Sequence, residues 1–223
     1  TPQFHEGKIF AQGASGHLVC LNAATGNRLW MADIAADSKA STPIWGFSGS
    51  PLITDDIVTL MPGGSDGASV LGYRIADGQL AWKGGTGISG YISAHLIELH
   101  GQKLLIALTG DGATALDPAT GRSVWHHRWV SEQEFRISQP MLVGQSQLLI
   151  PTGQALGSRL INVTLNGDQW ETSEVWNSKD LRPYFNDYVQ HAGHVFGFDG
   201  ALFCCVDLAT GKRAWKKGRY GHG

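Results

Sequence analysis

Arg136 and Asp187 are the residues of this sequence whose types and setting most invite chemistry. A cation and a carboxylate in irregular, aromatic-rich segments can hold a polar ligand between them, or simply hold each other. Asn186 adds a neighbouring oxygen donor, and Trp45, Tyr91 and Tyr184 offer flat faces on which a sugar or another small ligand could stack. These residues lie in four segments, "PIWGFSGSP", "GISGYISAH", "EFRISQP" and "LRPYFNDYV". The competing expectation is that they close the fold and order water.

Other chemistries find little support. No G-x-S-x-G, H-E-x-x-H, phosphate-loop or dinucleotide fingerprint occurs, and no Cys-x-x-Cys-His would attach a haem, so no catalytic residue is assigned. His126 and His127 adjoin on one strand and face opposite ways, while His191 and His194 flank a short Ala-Gly turn without a third ligand at metal spacing. Cys20, Cys204 and Cys205 are too few for a disulfide framework. A net charge of −2 gives no footprint for nucleic acid or an acidic lipid surface. No apolar run reaches the roughly 18 residues of a membrane helix. The start, "TPQFHEGKIF", has neither the basic flank nor the apolar centre of a signal peptide, and it opens without an initiator Met.

The elements that must position these residues are set by a repeat. "CLNAATGNRLW", "GYRIADGQLAW", "ALDPATGRSVW" and "CVDLATGKRAW" end at Trp30, Trp82, Trp125 and Trp215, and a degenerate unit ends at Trp176. The spacing averages about 46 residues, enough for four short strands and their turns. Within a unit, runs such as "ISAHLIEL", "KLLIALTG", "GATALDP" and "SVWHHRW" are short, rich in β-formers and bounded by turn residues. No segment sustains a 3.6-residue apolar period, so the chain reads as all-β without a helix. Asp117 and Asp207 accept backbone hydrogen bonds at the turn, and Gly121 and Gly211 supply the positive φ of a hairpin closing on a bulge. The tryptophan four residues later faces inward and covers the joint to the neighbouring unit.

This pattern resembles the tryptophan-docking motif of the pyrroloquinoline quinone (PQQ)-like β-propellers, A-x-D-x-x-T-G-K-x-x-W. Ala115, Asp117, Thr120, Gly121 and Trp125 match it, as do Asp207, Thr210, Gly211, Lys212 and Trp215. The first copy has Asn22 for the Asp, and the second has Arg74 there and Asp77 for the Thr. The resemblance implies four-stranded antiparallel blades, about five of them, near 1–40, 41–87, 88–130, 131–180 and 181–223, forming one domain or part of a seven- or eight-bladed ring whose remaining blades lie outside this chain. An open arc would bare an apolar blade face at each end. It also implies export, to the periplasm of a bacterium, and a non-catalytic scaffold that binds a protein partner or a small polar ligand. The family's quinoprotein dehydrogenases imply one alternative, PQQ with calcium, for which only Asn186 and Asp187 offer ligands here. In some of those enzymes adjacent cysteines form a disulfide beside the quinone, but Cys204 and Cys205 fall within a strand, just before the turn motif. A carbohydrate-binding propeller is the other alternative.

Overall fold

In the computed structural model, which describes residues 1–131, 136–153 and 156–221, the repeat folds into five four-stranded antiparallel sheets. The chain divides into two compact units, Thr1–Trp129 and Val130–Gly223. In the first unit lie three sheets: β1–β4 (Gln3–His5, Lys8–Gln12, His17–Asn22, Arg28–Asp33), β5–β8 (Leu52–Thr54, Ile57–Leu60, Val70–Arg74, Leu80–Gly84) and β9–β12 (His95–Leu99, Gln102–Thr109, Gly112–Leu116, Ser123–Arg128). The second unit holds β13–β16 (Met141–Val143, Gln147–Pro151, Ser158–Asn166, Gln169–Ser178) and β17–β20 (Val189–His191, His194–Asp199, Leu202–Asp207, Arg213–Lys217). Strands run in chain order across every sheet, each antiparallel to the next.

The turn before each outer strand forms as its residues dictate. Asp117 Oδ1 accepts the amides of Ala119 and Thr120, and Gly121, at φ 71°, returns its own N–H to the Asp117 carbonyl. Asp207 and Gly211 repeat the arrangement. All five sheets shift register in this ladder, at Cys20/Leu21, Gly72/Tyr73, Ala115/Leu116, Leu160/Ile161 and Cys205/Val206. That bulge turns the outer strand so that the tryptophan lies on one chosen face.

Three of those tryptophans, Trp30, Trp82 and Trp176, bind sheet to sheet within their units. Trp30 donates its indole N–H to the Ile75 carbonyl at 3.0 Å, and its ring lies so close over Gly78 that a Cβ there would sit 2.5 Å from it. Trp176 does the same to the Leu208 carbonyl and Gly211, and Trp82 lies over Gly121. Beneath Trp30, Phe10, Leu18 and Cys20 of the first sheet pack with Val58, Leu60, Leu71 and Tyr73 of the second. Beneath Trp176, Leu149 and Leu160 pack with Val195, Cys204, Val206 and Leu208. Burying side chains of this size stabilises the fold by about 1.5–3 kcal/mol each.

One element departs from the all-strand expectation. Ile34–Ser38 form a single helical turn (α1), capped by Asp33, whose Oδ1 accepts the Ala36 amide. Five residues are too few to show a helical period, so only the capping aspartate announces the turn.

Candidate functional site

The lead-in loops that precede the innermost strands carry most of the candidate residues, and each unit presents its own pair of aromatic rings there. In the first unit, Gly46 packs so tightly on Ala14 that a Cβ would lie 2.6 Å from the alanine methyl. Phe47, just after it, is buried, and its amide donates to the Ala14 carbonyl at 2.9 Å. This anchor leaves Ile44 and Trp45 outside, 85% and 67% exposed. Trp45 meets Tyr91 edge-on, with ring centroids 5.2 Å apart, and Ile88, three residues before Tyr91, is also exposed.

In the second unit the loop of Tyr184 is pinned just before it by two residues. Leu181 is buried and its carbonyl accepts Ser158 Oγ at 3.0 Å. Arg182 clasps the Asp199 carboxylate with two hydrogen bonds, at 3.0 and 3.1 Å. Asp199 is buried and also receives Lys216 Nζ at 2.6 Å, with Arg213 3.8 Å away. Burial alone would raise its pKa, but the hydrogen bonds and charges of Lys216 and Arg182 prevail and hold the carboxyl below its usual range. Just past these anchors Tyr184 and the 57%-exposed Phe185 stand out, centroids 4.1 Å apart.

The polar candidates have structural partners. Arg136 is only 2% exposed and donates to the Pro151 carbonyl at 3.3 Å. Asp187 Oδ1 accepts the Gln139 amide at 2.7 Å, and the Asn186 carbonyl accepts Ser138 Oγ. Tyr188 is buried with its hydroxyl on the Gln139 and Leu149 carbonyls, and that burial, with the charge of Asp187, pushes its phenol well above the usual range. Similar stitching occurs in the first unit, where the Ser50 amide donates to Ser93 Oγ at 2.7 Å. Much of the polar character of these loops therefore serves to hold neighbouring inner strands together.

A calcium-held quinone would need a set of oxygen donors converging on one point. Of the two candidate ligands, Asp187 accepts a backbone amide on Oδ1 and Asn186 accepts Ser138 Oγ on its carbonyl, and among the described residues no three His, Cys, Asp or Glu side chains gather. Cys20, Cys204 and Cys205 are free and buried thiols. Sequence reasoning missed Ile44, Ile88 and Phe185, whose exposure makes the loops apolar as well as aromatic, and Val189, exposed at the start of β17.

Comparison with known proteins agrees with the fold. BamB from Moraxella catarrhalis superposes with a TM-score of 0.66 at 17% identity, covering 96% of this chain and 62% of that one. The computationally designed Ika8 protein gives 0.59 at 15% identity, covering 99% and 62%. Quinohemoprotein alcohol dehydrogenase from Comamonas testosteroni gives 0.57 at 14%, covering 98% and 42%. The chain thus spans about three fifths of the length of BamB. No curated protein matches the sequence. Likeness at such low identity establishes the β-propeller fold alone. The sequence itself, however, matches the family described as outer membrane protein assembly factor BamB over residues 1–217, and to that family of PQQ-like propeller proteins this chain belongs.

Proposed function

We propose that this protein is a non-catalytic, exported β-propeller scaffold that serves outer-membrane protein assembly, binding a protein partner through its lead-in loops. The observation that carries the reading is the exposure of large apolar side chains on loops that are themselves rigidly anchored. Ile44 and Trp45 stand out beside the buried Phe47, and Tyr184 and Phe185 beside the buried Leu181. Aromatic side chains held rigid and solvent-exposed contribute most of the energy of many protein interfaces. Family membership supplies the context, and the polar residues of the same loops are occupied in structural hydrogen bonds.

A second reading, a carbohydrate or small-ligand binder, is favoured by the Trp45–Tyr91 pair, since an edge-on aromatic couple also suits a sugar ring.

Capture from outer-membrane extract of a Gram-negative bacterium, with mass spectrometry of the bound proteins, tests the first reading. Components of outer-membrane protein assembly should be retained by the native chain and lost with Trp45→Ala and Phe185→Ala. Equal retention by all three would count against it. Saturable binding of a glycan would favour the second reading, and tight binding of PQQ in the presence of calcium would favour a dehydrogenase relative.

A further inference from the structure

The fourth sheet carries a hairpin that outruns the rest of its own sheet. β14 pairs with β15 only as far as Gln147 opposite Asn162. β15 and β16 stay paired for four further rungs, from Val163 opposite Thr172 to Asn166 opposite Gln169. Gly167 and Asp168 are left as a two-residue turn, with Gly167 at φ 61°, and residues 166–169 are all exposed. The tip stands clear of the sheet that supports it, in the kind of place where chemical attack on a folded chain concentrates.

Asparagine is a chemically labile side chain, and most so before a glycine. The following amide nitrogen can reach the side-chain carbonyl carbon through a five-membered ring, and glycine puts no Cβ in the way. Of the six asparagines in this chain, Asn166 alone precedes a glycine; the others precede Ala23, Arg28, Val163, Ser178 and Asp187. The fold leaves the pair open. Among the described residues no atom lies within 4 Å of a Cβ placed on Gly167. In a two-residue turn the ladder engages the amides of the flanking residues, here Asn166 and Gln169, and not that of Gly167. Asn22 shows the contrast, since its Oδ1 is held by the amides of Ala24 and Thr25.

We propose that Asn166 is a site of spontaneous modification in the folded protein, with water as the only co-reactant. The Gly167 nitrogen bonds to Asn166 Cγ, the Cγ–Nδ2 bond breaks, and ammonia leaves with the proton that the Gly167 amide gives up, closing a succinimide. Water then opens the ring at either carbonyl. Opening at Cγ gives aspartate, and opening at the main-chain carbon gives isoaspartate, in which the chain runs through Cβ and Cγ. Both products add a negative charge beside Asp168, and the second breaks the rung between residue 166 and Gln169. The remaining rungs separate the tip from the buried Trp176, so the core keeps its packing.

Incubation of the whole folded chain in mildly alkaline buffer, followed by ammonia assay and peptide mapping by mass spectrometry, tests this. Residue 166 should convert to aspartate and isoaspartate ahead of the other five asparagines, and a more acidic form of the protein should appear. Asn166→Gln, which would have to close a six-membered ring, should lose both the early ammonia release and the acidic form. The same chain unfolded in urea supplies the reference for an unshielded pair. Absence of conversion at residue 166 in the folded chain would overturn the proposal, and conversion in urea alone would assign that protection to the hairpin. Earlier conversion of another asparagine would overturn it too, as would ammonia release from Asn166→Gln equal to that of the native chain.

Discussion

The indole nitrogen of Trp176 lies 2.8 Å from the carbonyl oxygen of Leu208, in the neighbouring sheet, and its ring covers Gly211. Two requirements meet at this contact: a flat ring carrying a donor, and a turn with no Cβ and an available acceptor. Trp176→Phe should keep the covering ring and lose the hydrogen bond, costing about 1 kcal/mol. Trp176→Ala should cost about 3–5 kcal/mol, because it opens a cavity between two sheets. Gly211→Ala should destabilise despite adding only a methyl group, since that group would lie 2.6 Å from the indole on a backbone at φ 68°. Urea denaturation of the three variants checks the order.

Asp199 makes stability depend on pH. Its folded pKa is depressed, so it contributes stability that is present above the unfolded carboxyl value, near 4, and is lost as pH falls through the lower folded value. Asp199→Asn should destabilise by about 3 kcal/mol at neutral pH, leaving Arg182 and Lys216 without their shared anion. The variant's disadvantage should shrink on acidification below pH 4, which denaturation curves at several pH values will show.

The thiols should be inert. Cys20 and Cys204 are inaccessible and Cys205 nearly so, and burial, reinforced by Asp199, pushes the Cys204 thiol up to about 11. All three should react with a thiol reagent only when the protein unfolds, so labelling kinetics in rising urea should follow the unfolding transition.

Trp45 should contribute little to stability, for all its size. It is mostly exposed beside the anchoring Phe47, and Trp45→Ala should shift the unfolding free energy by less than about 1 kcal/mol. Phe47→Ala should cost about 3–5 kcal/mol. Thermal melts of the pair separate the loop's anchor from its displayed ring.

The legible part of this molecule was the local part. Asp207, Thr210, Gly211 and Trp215 specify a turn, a bulge and a ring position within one hairpin, so their pattern can be read directly from the chain. Exposure is different, because it depends on what lies alongside. Trp176 and Trp215 occupy equivalent places in the repeat, yet one is covered by the following sheet and the other is partly open to solvent. Arg136 looked available because a charged residue in an irregular segment usually is; its burial against the Pro151 carbonyl arises from packing that no spacing announces. Phe185 and Ile44 show the converse, since nothing in their local sequence tells that these apolar side chains stay exposed.

The most direct test of the scaffold reading is site-specific photo-crosslinking in bacterial cells. A photoreactive phenylalanine analogue would replace Trp45 or Phe185 on the loops, or Gln169 in the β15–β16 hairpin as a control. Adducts with a component of outer-membrane protein assembly from positions 45 and 185, and none from 169, are the expected result. No adduct from either loop, or adducts of equal yield from all three positions, would contradict the account.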